Sequence, residues 1–159
     1  MKSIKLSKNI VRKRKSKKYY AVIDTNVLVS SLLKGNSLPG IILKLIKNKT
    51  IIPLFNDEIL NEYKEVLLRN KFGFSQEKVE KTLKIFESGI NYTRTKTNEL
   101  FFDEDDIVFY EIVLTSIKRH KNSYLITGNK KHYPNKFYVV NPREMIEIIN
   151  IELDNQIAI

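Results

Sequence analysis

The sequence predicts an α/β domain built on a mainly parallel sheet. Strand-like and helix-like segments alternate along nearly the whole chain, with short loops between them. Two of the strand candidates, "YYAVID" at 19–24 and "SYLITG" at 123–128, are apolar on both faces, as strands covered from both sides must be. With 42% hydrophobic and 10% aromatic residues, the 159-residue chain suffices for a single sizeable core.

"YYAVID" is a central strand rich in β-branched and aromatic residues, and residues 25–33 turn into a first helix. Gly35, Pro39 and Gly40 punctuate a loop before a short helix, "IILKLIKNK". "TIIPLF" at 50–55 is a second strand, and Pro53 argues for an edge or strand-end position because it donates no ladder hydrogen bond. "NDEILNEYKEVLLRNK" follows as a helix capped by Asn56 or Asp57, with Ile59, Leu60, Tyr63, Val66 and Leu67 as its apolar stripe. Ser75 caps the helix "QEKVEKTLKIFES", whose stripe is Val79, Leu83 and Phe86. A loop or short strand near 91–97 leads into "DEDDIVFYEIVLTSIKRH", the strongest helix of the chain. "SYLITG", a short strand "KFYVV" and the helix "NPREMIEIIN", with Pro142 in its first turn, complete the order. The last residues, "ELDNQIAI", carry no signal.

The net charge of +10 is unevenly placed. Nine of the 28 Lys and Arg fall in residues 1–18, which hold no acid, leaving 19 basic against 18 acidic residues in the rest. Residues 1–18 therefore read as a flexible basic tail and 19–159 as a near-neutral domain. Arg12, Lys13, Arg14, Lys15, Lys17 and Lys18 form its densest part and suit a nucleic acid or another acidic partner; a solvated extension explains them equally well. No cysteine is present, which excludes disulfides, thiolate metal sites and cysteine nucleophiles. His120 and His132 are too few for a histidine cage, so any metal must be held by oxygens, favouring Mg²⁺ or Mn²⁺. No run reaches the roughly eighteen apolar residues of a membrane span, and no apolar stretch follows the basic start, so a cytoplasmic protein without membrane association is expected.

Functional groups in parallel sheets collect beyond the carboxyl ends of strands, which is where Asp24 falls. Helix capping is the competing explanation for it. On the helix after "TIIPLF", Glu62 lies roughly 100° from the centre of the apolar stripe, nearer the buried side than Glu58 or Glu65. In "DEDD", Asp103 is a natural cap, and the stripe Ile107, Tyr110, Val113, Leu114 and Ile117 extends back onto Asp103 and Asp106. After "SYLI", Gly128 permits a tight turn that aims Thr127 and Asn129 at the same rim. His132 has no evident partner and reads as a surface or structural residue. Gathered carboxylates repel one another unless a cation joins them, and two or three of them make a typical magnesium site. Metal-assisted hydrolysis is the chemistry this inventory best supports.

The order "VIDTNVLVSSLL", "EILNEYKEVLLR", "DEDDIVFYEIVL", "YLITGNKKHYP" and "VVNPREMIEII" resembles the PIN domain over residues 20–149, most closely the toxins of type II toxin–antitoxin systems, VapC-like in the broad sense. The resemblance implies a three-layer sandwich with a central, mainly parallel sheet flanked by helices. It implies a ribonuclease whose Mg²⁺ or Mn²⁺ is held by Asp24, Glu62 and Asp106 with Asp103 close by, supported by Asn26, Thr127 and Asn129. It also implies a cognate antitoxin and a homodimer. Many PIN domains carry acids where this chain has Asn129 and Lys131, whereas the toxin subgroup often reads "TGN" there, so the number of metals is open. Two alternatives compete: a non-catalytic RNA-binding module relying on the tail, and a phosphatase of the haloacid dehalogenase type. The phosphatase needs a second acid two residues after the first, where this chain has Asn26.

Overall fold

The structure, a computed structural model, describes residues 17–157. Five strands form one all-parallel sheet: β1 (Tyr19–Ile23), β2 (Ile51–Phe55), β3 (Ile90–Asn91), β4 (Ser123–Ile126) and β5 (Val139–Val140), in the order β3-β2-β1-β4-β5. Six helices flank it: α1 (Thr25–Leu33), α2 (Leu38–Lys47), α3 (Asp57–Leu67), α4 (Gln76–Glu87), α5 (Ile107–Ile117) and α6 (Pro142–Ile157). Ala21, Val22 and Ile23 are all buried in succession, and successive strand side chains point to opposite faces, so β1 is covered on both sides. Helix α5 packs across β4, β1 and β2, while α2 packs on β2 and against α1 and α6. This is the α/β arrangement on a parallel sheet that the alternating elements predict, in the three layers that the resemblance implies.

Several elements differ from the sequence reading in instructive ways. Helix α2 starts at Leu38 rather than after Gly40, because the Ser37 side chain accepts a hydrogen bond from the Gly40 N–H at 3.2 Å and Pro39 is tolerated in a first turn. Pro53 lies in an interior strand, between β1 and β3. Strand residues alternate sides: Thr50 faces β1, accepting from the Tyr19 N–H, and Phe55 faces β3, accepting from the Tyr92 N–H. Pro53 shares the β3-facing side with Phe55, but the β2–β3 pairing begins only at Leu54, so no ladder bond is lost. The chain between 91 and 97 pairs only at Asn91, and "KFYVV" only at its last two residues. Helix α6 continues through "ELDNQI", well beyond Asn150.

Helix α5 is narrower in extent and more deeply placed than its apolar stripe suggests. A single 3₁₀ turn, Glu104–Asp106, precedes it, and seven of its eleven residues are buried, including Glu111. Glu111 survives there because Arg94 Nε reaches its carboxylate at 2.7 Å and the Thr97 N–H donates to it at 2.7 Å. Arg94 also reaches Glu58 at 2.9 Å, tying α3, α5 and the 92–97 segment together. Among the described residues no helix is long and apolar enough to cross a membrane.

Candidate active site

The chain runs from β1 outward to β2 and β3, then returns to place β4 and β5 on the other side of β1. The gap between the carboxyl ends of β1 and β4 is therefore the topological switch point, where open parallel sheets bind ligands. Asp24 ends β1 and Thr127 ends β4, and both are buried. The backbone registers them: Asp24 N–H donates to Ile126 O at 2.9 Å, and Thr127 N–H to Val140 O at 2.9 Å. Thr127 Oγ1 then donates to Asp24 Oδ2 at 2.7 Å. Asp24 occupies the N-cap position of α1, yet its side chain makes no cap hydrogen bond. The hydrogen bond this carboxylate does make is to Thr127 at the switch point, while the first amides of α1, those of Thr25 and Asn26, still favour its charge.

Glu62, on α3, is half-buried and accepts a hydrogen bond from the hydroxyl of Thr25, the first residue of α1. Asp106 closes the 3₁₀ turn before α5. The hydroxyl of Tyr133, itself buried, lies between the acids, 3.5 Å from Asp24 Oδ2 and 3.4 Å from Asp106 Oδ1. Burial raises the pKa of Asp24, against the lowering effect of Thr127 and the nearby amides of Thr25 and Asn26. Burial also raises Glu62, with the charges of Asp24, Asp105 and Asp106 adding to it. Asp106 is pushed up to about 6, first by burial and then by the charges of Asp24 and Asp103. Three carboxylates thus feel one another's charge in a desolvated place.

The remaining candidates are distributed around this centre. Asp103 is exposed and caps the 3₁₀ turn, accepting from the Asp105 N–H at 3.0 Å; it acts on Asp106 through its charge. Asn26 is exposed and lines a cleft of about 490 Å³ together with Asp24, Ser30, Asn129 and Arg143. Asn129 does not touch Asp24: its N–H donates to Thr127 Oγ1 at 3.0 Å and its amide meets His132 Nε2 at 3.0 Å. His132 has partners that its place in the sequence does not reveal, since Nδ1 also lies 3.5 Å from Asp106 Oδ2. Of the basic tail, Arg12, Lys13, Arg14 and Lys15 lie outside the described residues. Lys17 and Lys18 sit at the amino end of β1, about 20 Å of strand from Asp24, and Lys17 pairs with Glu152. They do not border the carboxylates.

Tyr133 and Thr25 are site residues that sequence reasoning misses. Tyr133 stands in a loop without periodicity, seven residues beyond β4, and only the fold brings its hydroxyl to Asp24. Thr25 is visible in the sequence only as a possible cap beside Asp24.

Whether these residues suit a metal can be judged from their own chemistry. Asp106 Oδ2 is buried without a hydrogen-bond partner, a costly condition for a carboxyl oxygen and one that a cation relieves. Every candidate donor is an oxygen, which matches a hard divalent ion. Among the described residues no three acidic or imidazole groups converge into a preassembled cage. Like charges separate when nothing joins them, and here Glu62 rests on Thr25 and Asp24 on Thr127. The donor set fits a divalent ion.

A covered parallel sheet with acids gathered at its switch point is the build of a nuclease-type α/β domain. The PIN domain family matches residues 20–131, and the chain belongs to that family, whose members are in general divalent-metal-dependent nucleases. It is similar to the uncharacterized protein MJ1680 of Methanocaldococcus jannaschii, 31% identical over 146 residues, 82% of this chain and 91% of that one. No solved structure gives a significant match.

Proposed function

We propose that the protein is a metal-dependent endoribonuclease, the toxin of a type II toxin–antitoxin pair, acting in the cytoplasm as a homodimer restrained by its antitoxin. The observation that carries the nuclease reading is the Asp106 carboxylate, whose buried Oδ2 accepts no hydrogen bond and whose charge acts on Glu62 as that of Asp24 acts on it. Asp24, Glu62 and Asp106 are the residues that would hold Mg²⁺ or Mn²⁺, with Asp103 adding charge nearby. Such an ion supplies positive charge to phosphate oxygens and makes water in the site more acidic.

The protein's own groups prepare that chemistry. Thr127 fixes the rotamer of Asp24 by donating to Oδ2, and Thr25 does the same for Glu62. Tyr133 stands between Asp24 and Asp106, where its single hydroxyl proton can be donated to either carboxylate. Asn26 and Ser30 line the open side of the cleft as neutral hydrogen-bonding groups, and Arg143 places a cation on its wall where a phosphodiester can sit.

Asp24→Asn or Asp106→Asn should abolish Mn²⁺-dependent cleavage of RNA, read on a gel with purified protein. Undiminished cleavage by both variants removes the assignment. Asn129 supports a second reading, a non-catalytic RNA-binding module, because it adds no charge and its amide is engaged by His132. RNA binding by the wild type without cleavage under any divalent ion would select that reading.

A further inference from the structure

The stretch "LFFDEDD" at 100–106 alternates in and out as it enters the site. Phe101 turns inward against Tyr110 and Tyr133, whereas Leu100 and Phe102 turn outward, 96% and 89% exposed. Phe102 is not simply adrift in solvent. Its ring stacks on the imidazole of His132, with centroids 5.6 Å apart and an interplanar angle of 25°. His132 Nε2 is hydrogen-bonded to the Asn129 amide at 3.0 Å, and its Nδ1 lies 3.5 Å from Asp106 Oδ2 without a hydrogen bond. The imidazole thus meets the Phe102 ring in an offset, near-parallel arrangement and leaves most of that ring open. An exposed ring alone is ordinary; what distinguishes Phe102 is its place against His132, which is three residues from Asn129 and beside Asp106.

The geometry points to Phe102, backed by His132, as a platform on which one unpaired nucleobase of the substrate stacks beside the carboxylates. The proposal rests on the reading above that the substrate is RNA, and it names the part of that substrate this chain grips. A nucleobase fits better than an apolar protein surface for three reasons. A single flat ring with one free face matches a flat π-system, and base–aromatic stacking tolerates any base. Lys130 and Lys131 stand in the same turn as His132, and among the described residues Lys131 has no ion-pair partner, so phosphates on that side meet positive charge. Lys130, Lys131, Lys136 and Tyr133 line a further cavity of about 390 Å³; Lys130 pairs with Glu144 and Lys136 with Glu99, so Lys131 is the cation this side offers to a phosphate. Asp103 to Asp106 on the other side repel a nucleic-acid backbone, which sets the strand's course past the platform.

The test uses the full chain in chelator, where binding is read without turnover, and a short single-stranded RNA carrying 2-aminopurine at successive positions. The wild type should change the fluorescence of the probe at one position. Phe102→Ala should lose that change and bind about tenfold more weakly, within the range that loss of one stacked base spans, while Phe102→Tyr should keep both. With Mn²⁺ added, the loss in Phe102→Ala should fall on KM. Unchanged affinity and unchanged fluorescence in Phe102→Ala overturn the platform, as does a Phe102→Ala defect confined to binding of a protein partner. Stacking by the wild type with no cleavage under any divalent ion overturns the nuclease reading and leaves the platform standing.

Discussion

At Asp106 burial, then the charges of Asp24 and Asp103, moves the carboxyl from its ordinary 3.8 to about 6. A carboxyl whose pKa is higher in the folded than in the unfolded chain contributes stability below the unfolded value and loses it as pH rises through the folded one. Without metal, Asp106 is therefore an internal destabilising charge at pH 7.5. Asp106→Asn should melt at a higher temperature than the wild type in chelator at pH 7.5, and the difference should shrink towards pH 5; a variant less stable at both pH values contradicts this. Mn²⁺ should raise the melting temperature of the wild type more at pH 7.5 than at pH 5, because it needs the ionised form. Thr127 acts oppositely on Asp24. Thr127→Val removes a buried 2.7 Å hydrogen bond to a carboxylate and should cost about 2 kcal/mol, seen as a lower urea midpoint at constant slope.

Among the secondary-structure elements, the loops decide how helices meet the site. Helix α2 begins where Gly40 lies against the loop before it: a Cβ there would stand 2.1 Å from the Gly35 carbonyl oxygen. The obstacle is backbone, which cannot yield as a side-chain end can. Gly40→Ala should therefore destabilise the protein by about 2 kcal/mol or more despite alanine's better helix propensity, whereas Gly128→Ala, with open space around it, should be near neutral in a thermal melt. Arg94 is the second joint. Arg94→Ala leaves Glu111 buried without its cation and should cost about 3 kcal/mol, with much of it restored in an Arg94→Met, Glu111→Leu double variant. Equal stability of the single variant and the wild type would show that the Thr97 N–H alone satisfies Glu111.

Across the domain as a whole, Lys17 and Lys18, the described end of the basic segment, stand at the end of β1 opposite Asp24. Removing residues 1–16 should weaken RNA binding and flatten its dependence on salt, by about 0.7 in log–log slope for each phosphate no longer neutralised, while cleavage persists. Loss of cleavage at saturating RNA would instead tie the tail to the chemistry. The class of fold is legible in the residues alone, because double-sided apolar strands alternating with amphipathic helices leave few arrangements other than a covered parallel sheet. Period marks Asp24, Glu62 and Asp106 only as separate candidates at strand ends and helix shoulders, and it is the resemblance to the PIN domain that joins them into one set. Period cannot place Pro53 inside the sheet, because which neighbour a strand residue faces depends on where the next strand starts. Nor does it reveal Tyr133, or the partners of His132 and Glu111, because those meetings join segments with no local spacing between them. Folding settles them: strand order brings β4 beside β1, which seats Thr127 and, beyond it, Tyr133 against Asp24.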